Sequence, residues 1–287
     1  TATVAALTGA SMLMSRVFPN GHGPIPSPIP SPKGTASPIS TDAIQRGLER
    51  GEFTMFFQSQ VDIATGRVVA VEGLLRWFPL NDEPVKPDRF ISQAEADNTI
   101  VPLGAFALEQ ACEQLQHWQD HGIPLPRVAV NVSIRQLSQS DFASTVASTL
   151  ARYRFPPDRL TLELTESTFC QWTKQISQRI ERLQHTGVRL SLDDFGTGYA
   201  SLDRLCCYPV DEIKLDRCFV ERILESRVDR EIIRMTLRLA HALDLDLIAE
   251  GVSNEGILEQ VKELGCPYAQ GFLFAHPQPS HALQPML

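Results

Sequence analysis

From Thr41 onward the chain repeats one pattern: a short β-branched or apolar run, then a stretch whose apolar residues recur every three or four positions. Eight runs read as strands: Phe53–Gln60, Arg67–Arg76, Arg127–Ser133, Leu160–Thr165, Val188–Asp194, Asp211–Asp216, Asp246–Glu250 and Tyr268–Phe274. Helical spacing lies between them, as in Leu108, Ala111, Leu115 and Trp118, and later in Ile233, Leu237 and Ala240. Strands that alternate with helices build parallel βαβ units. Only Val61 to Gly66 separate the first two runs, a gap that suits a hairpin. The pattern predicts an α/β fold, a TIM-like (β/α)8 barrel with an antiparallel first strand. The residues after position 40 are about as many as such a barrel takes, about 250.

Residues 1–40 break the pattern. Proline stands at every second position from Pro24 to Pro32, and Pro38 follows. Prolines at that density donate no backbone hydrogen bonds and favour extended, solvated chain. The mildly apolar Ala2–Met14 reads as the tail of an upstream helix, and the chain starts at Thr1, not Met. The expected division is therefore 1–40 as helix remnant and proline-rich linker, and 41–287 as barrel, with a regulatory domain upstream. No apolar run reaches the roughly 20 residues of a bilayer span, so no membrane contact is expected from this fragment.

A barrel of this kind carries its chemistry at the C-terminal ends of its strands. Each run has a polar residue in or just after it: Gln58, Glu72, Asn131, Glu163, Asp193 with Asp194, Lys214, Glu250 and Gln270. Gln58 stands apart, because an antiparallel first strand runs toward the other face. One acid inside an apolar run such as Val69–Leu75 is explicable as a paired structural group, since burial otherwise costs too much. The same feature on successive strands points to a site. Glu72, Asn131, Glu163, Asp193 and Asp194 offer only oxygen donors, which suits Mg²⁺ or Mn²⁺ over zinc. Two such ions would clamp the attacking and leaving oxygens of a phosphodiester. Lys214 sits among acids and could orient water or stabilise developing charge.

These segments resemble the bacterial EAL domains that hydrolyse cyclic di-GMP. The matching segments are Glu72-Gly73-Leu74-Leu75-Arg76, Asn131-Val132-Ser133, Glu163-Leu164-Thr165-Glu166, Asp193-Asp194-Phe195-Gly196-Thr197-Gly198, Ile213-Lys214-Leu215-Asp216, Glu250-Gly251-Val252 and Gln270-Gly271-Phe272. The resemblance implies Glu72, Asn131, Glu163 and Asp193 as ligands of one metal, with Asp193 and Asp194 serving a second. It implies that Lys214 contacts the nucleophilic water and that Glu250 holds this lysine. Arg76 and the backbone around Leu74 would hold a substrate phosphate, and Gln58 and Gln270 would contact substrate. Glu166 would anchor the loop Asp194–Leu202, near a homodimer interface. The implied reaction opens one phosphodiester of cyclic di-GMP to linear pGpG, in the cytoplasm.

Three positions depart from the family pattern: Gly73 for alanine, Ser59 for proline, and Ser253 for a second glutamate after Glu250. Ser253 is the feature that favours a rival, a receptor that binds the dinucleotide without turning it over. A second rival, an enolase-like barrel with Mg²⁺ and a lysine base, lacks the Asp193-Asp194 pair. His117 and His121 have metal-compatible spacing on one helix but no third ligand, and six cysteines without CxxC spacing, Cys206-Cys207 included, suggest ordinary reduced thiols. Lys and Arg number 26 against 34 Asp and Glu, a net charge of −8. That excess argues against a groove for duplex nucleic acid, but two bound divalent cations would give a phosphate a cationic face.

Overall fold

The computed structural model describes residues 39–80, 82–123, 127–166, 168, 173–198 and 209–287. By its internal contacts the chain divides into Thr1–Pro38 and Ile39–Leu287. The expected helix remnant and most of the proline linker fall on the first unit and lie outside the described residues, as do Cys206-Cys207.

The second unit is a closed barrel of eight strands in sequence order. They are β1 (Phe53–Asp62), β2 (Val68–Trp77), β3 (Arg127–Asn131), β4 (Leu160–Thr165), β5 (Arg189–Phe195), β6 (Glu212–Leu215), β7 (Asp246–Ala249) and β8 (Tyr268–Gln270). β1 runs antiparallel to both β2 and β8, and every other neighbouring pair is parallel. This is the TIM-like arrangement with an inverted first strand that the sequence predicts. Parallel strands are covered on both faces, and Leu160 to Glu163 on β4 are accordingly buried without a break.

Helices begin where a polar side chain can take up a free backbone N–H. Thr173, Ser226 and Asn254 accept from Ile176, Asp229 and Ile257, and start the helices Lys174–Gln184, Arg227–Ala242 and Glu255–Glu263. Each such cap stabilises by about 1 kcal/mol. Their apolar stripes pack on the outside of the barrel, where Ile180, Ile233 and Val261 join Leu162, Leu190 and Leu247 in one core. A second apolar cluster lies beside the start of β1 and the end of β2. There Phe53 and Trp77 stack at 5.0 Å and Phe90 meets both edge-on. Among the described residues no helix is long and apolar enough to cross a membrane.

The eighth run is the one whose length differs most. Tyr268–Phe274 reads as a continuous strand, but β8 stops at Gln270. Beyond it the backbone turns, with Phe274 and Ala275 both donating to the Gly271 carbonyl. A Cβ on Gly271 would stand 2.1 Å from the Val252 carbonyl oxygen, so only glycine permits this crossing of two chain segments.

Candidate active site

The parallel strands point their C-terminal ends the same way, and there Lys214 is buried inside a ring of acids. Its ammonium lies 2.7 Å from Glu250 Oε1, 3.1 Å from Glu163 Oε1, 3.1 Å from Asp193 Oδ1 and 3.4 Å from Glu72 Oε2. Four different strands or strand ends thus supply carboxylates to one cation. Burial alone would lower the lysine's pKa, but Asp193, Glu163, Glu250 and Glu72 together hold it well above its ordinary value.

One ammonium does not balance these acids. Burial, and then repulsion from Glu72, Asp193 and Glu250, pushes Glu163 well above the usual carboxylate range. Glu163 Oε1 and Asp193 Oδ1 have only the Lys214 ammonium beside them, and Glu163 Oε2 has no partner among the described residues. Glu250 is pushed up to about 8, by burial first and by Asp193 and Glu72 next. Glu72 is the exception. Burial would raise it, yet Lys214 and hydrogen bonds from Gln270 Nε2 (2.6 Å) and Asn131 Nδ2 (2.9 Å) bring it below its ordinary value.

Asp193 and Asp194 are sequence neighbours, which an extended strand would send to opposite sides. The register between β5 and β6 shifts between Leu192 and Phe195, and Asp194 adopts φ 57°. This left-handed residue lets both carboxylates turn to one place. Asp193, Asp194 and Glu250 each offer an oxygen within 4.8 Å of the others, compact enough to hold a metal ion. Burial, then Asp193 and Asp216, pushes Asp194 up to about 6. Behind the turn Glu166 Oε2 accepts from the N–H groups of Gly196 (3.0 Å) and Gly198 (2.9 Å). Residues 199–202 of the expected anchored loop lie outside the described residues.

Gln58 is drawn to the cluster although its strand runs the other way. Antiparallel pairing sets Gln58 opposite Glu72, and Gln270 Nε2 donates to Gln58 Oε1 at 3.1 Å. Its own NH₂ is committed to the Ala275 carbonyl at 2.9 Å. Arg76 is not part of the acid ring. It donates to the Leu75 carbonyl, lies 5.7 Å over the Phe56 ring, and lines a groove of about 500 Å³ with Leu74, Asn131 and Asp194. A smaller depression of about 230 Å³ shares Leu74 and Asp193 with that groove, and Lys214, Glu250, Ser253 and Gln270 also line it. Gln60 was not singled out by its sequence context. Its Nε2 donates to Gln270 Oε1 at 3.0 Å, and its spacing of two from Gln58 is the signal that places both on one side of β1. The His117 and His121 rings lie 4.1 Å apart, tilted by 38°, on an exposed helix end, and no group of three metal-compatible side chains among the described residues includes them.

Residues 41–277 match the family profile described as the EAL domain. The chain is 35% identical over 240 residues to MucR of Pseudomonas aeruginosa, a bifunctional diguanylate cyclase/cyclic di-GMP phosphodiesterase, covering 84% of this chain and 35% of that protein. It spans about a third of the length of the curated relatives it matches. Among solved structures, the PaMucR phosphodiesterase in complex with c-di-GMP superposes with a TM-score of 0.80 at 35% identity, covering 84% of this chain and 98% of that one. The EAL enzyme Bd1971 in its cAMP-bound form gives 0.80 at 27% identity, covering 85% and 68%. A profile match across nearly the whole barrel places this chain in the EAL domain family.

Proposed function

We propose that this barrel hydrolyses cyclic di-GMP to linear pGpG, using two divalent cations, Mg²⁺ or Mn²⁺. The observation that carries this reading is the acid ring around Lys214, with its surplus of carboxylates and, among the described residues, an unpartnered Glu163 Oε2. An oxygen-only donor set that lacks positive charge fits a hard divalent cation. Glu72, Asn131, Glu163 and Asp193 would hold one ion, and Asp193 with Asp194 a second. When bound, the ions supply charge for the phosphate oxygens and lower the pKa of water.

The remaining roles fall to the chain's own side chains. Lys214 points its ammonium at the centre of the ring, where it orients the attacking water. Glu250, 2.7 Å away, fixes that ammonium. Arg76 and the Leu74 backbone line the groove and hold a substrate phosphate. Gln58 and Gln270 contact substrate from the β1–β8 side. In the reaction a water oxygen bonds to phosphorus, one P–O ester bond breaks, and the leaving ribose oxygen takes up a proton. The domain works in the cytoplasm as a homodimer beneath an upstream regulatory module.

The test is a product assay with cyclic di-GMP and either metal, in which pGpG is the expected product. Parallel incubations with cAMP and cGMP establish selectivity. Dinucleotide binding without pGpG under both metals would replace the enzyme by a receptor. Ser253 favours that second reading, because it lines the same depression as Lys214 and Glu250 where many family members carry another acid.

A further inference from the structure

Gln60 belongs to none of the family segments, yet it is buried at the floor of the acid ring with Gln58, Gln270 and Glu72. The hydrogen bonds among them run in one direction. Gln60 Nε2 donates to Gln270 Oε1 at 3.0 Å. Gln270 Nε2 donates to Glu72 Oε2 at 2.6 Å and to Gln58 Oε1 at 3.1 Å. Gln58 Nε2 donates to the Ala275 carbonyl at 2.9 Å. The direction is forced, because an ionised carboxylate and a backbone carbonyl only accept. Gln270 must turn its NH₂ to Glu72, which leaves its carbonyl facing Gln60, and Gln60 answers with its own NH₂. Strand register sets the contacts, with Gln58 opposite Glu72 and Gln60 opposite Gln270.

We propose that Gln60 is a positioning residue for the cation site, acting through Gln270. By holding the Gln270 carbonyl, it fixes the Gln270 NH₂ on Glu72 and so sets the rotamer of a carboxylate that binds the cation. The inference rests on the assignment of Glu72 as a cation ligand under Proposed function. Buried hydrogen-bond chains polarise one another, and outer partners of a metal ligand change affinity by about 10–100-fold. Losing the Gln60 donor leaves the Gln270 carbonyl buried and unanswered, and frees its amide to turn away from Glu72.

The test measures the Mn²⁺ dissociation constant of the full chain by titration calorimetry. Gln60→Met should weaken binding by about 10-fold, and Gln270→Met by at least as much. The double variant should match Gln270→Met alone, because Gln60 acts only through that residue. A Gln60→Met protein that binds Mn²⁺ like the parent overturns the proposal, as do losses that multiply in the double variant. Glu72→Gln separates the two levels. If it leaves Mn²⁺ binding unchanged, the cation assignment falls and the proposal with it. If it alone weakens binding, only the relay falls. Should Gln60→Met not fold, the side-chain ¹⁵N amide resonances of the parent serve instead. Mg²⁺ should shift those of Gln60 and Gln270 together, and a Gln60 resonance that stays fixed overturns the relay.

Discussion

At the N-terminal mouth of the barrel Arg127 lies 3.8 Å from Glu212 and 3.6 Å from Asp246, Arg189 lies 2.6 Å from Asp246, and Asp211 accepts the Leu190 N–H at 2.8 Å. At the C-terminal mouth the ion pairs of Glu72, Glu163, Asp193 and Glu250 among the described residues all go to Lys214, with Asp194 beside them. Size does not tell the two apart, since a depression of about 480 Å³ opens at the N-terminal mouth and one of about 500 Å³ at the other. Charge balance does. Where each acid meets a guanidinium or a backbone N–H, the arrangement closes the barrel. Where four carboxylates converge on one ammonium, folding has left a charge for a ligand to neutralise.

Substitutions of the central cation at each mouth are expected to separate chemistry from stability. Lys214→Ala should cut kcat for cyclic di-GMP at least 1,000-fold while substrate still binds in the presence of metal. Arg127→Met should leave kcat within about two-fold but cost about 2–3 kcal/mol of stability, because Glu212 loses its guanidinium in a buried setting. Steady-state kinetics and thermal denaturation on both variants check the pair. A Lys214→Ala enzyme with near-parental turnover would erase the distinction.

Titration gives the same contrast a sign. Glu250 and Asp194, pushed up to about 8 and about 6, keep protons in the metal-free fold that the unfolded chain releases near pH 4. Their contribution to metal-free stability is fully present below the unfolded pKa and is lost as pH rises through 6 and 8. Cation binding needs the ionised forms, so Mn²⁺ affinity should rise over that window, with protons released on binding. Calorimetry at pH 6 and 8.5 in buffers of different ionisation enthalpy measures both effects. Glu163→Gln should remove one repelling acid, raise the metal-free Tm by a few degrees and weaken Mn²⁺ binding more than 10-fold. A fall in the metal-free Tm would mean that the acid ring is already balanced.

Much of this was legible in the strand runs, and the limits have physical causes. The predicted and observed strands agree within a residue or two except at β8. There Phe272, Leu273 and Phe274 are apolar enough for a strand, but Leu273 donates to the Val252 carbonyl and Phe274 turns back to the Gly271 carbonyl. Every acid of the ring could be picked from its run, because a carboxylate amid β-branched residues has no cheap explanation. What periodicity cannot show is the left-handed turn at Asp194, a backbone choice of one residue. Nor can it show the Gln60 contact, which depends on β1 closing against β8 across 210 residues of sequence.

Ser253→Glu should have a moderate effect. A carboxylate there would join the depression already lined by Glu250 and Lys214, deepening the imbalance that defines this mouth. Mn²⁺ affinity or kcat should rise by about three- to ten-fold, as expected for a group acting around a metal site. Unchanged metal titrations and turnover would make the serine neutral and remove the main support for the receptor reading.

The smallest effect is expected at Gly73, next to Glu72 on β2. An added Cβ would stand 2.5 Å from Met55 Cε, a contact that must yield, and 3.4 Å from the Ala129 carbonyl oxygen, an ordinary one. The close atom is the end of an unbranched thioether, the side chain most able to swing aside. The cost of moving Met55 is set against the lower backbone entropy that alanine loses on folding, about 0.5–1 kcal/mol in its favour. Gly73→Ala should therefore change stability by less than about 1 kcal/mol and leave kcat within about two-fold. Glu72 keeps its hydrogen bonds from Asn131 and Gln270 in that variant, since neither involves position 73. A loss of Mn²⁺ affinity on Gly73→Ala would show that the imbalance at this mouth depends on backbone placement as finely as on charge.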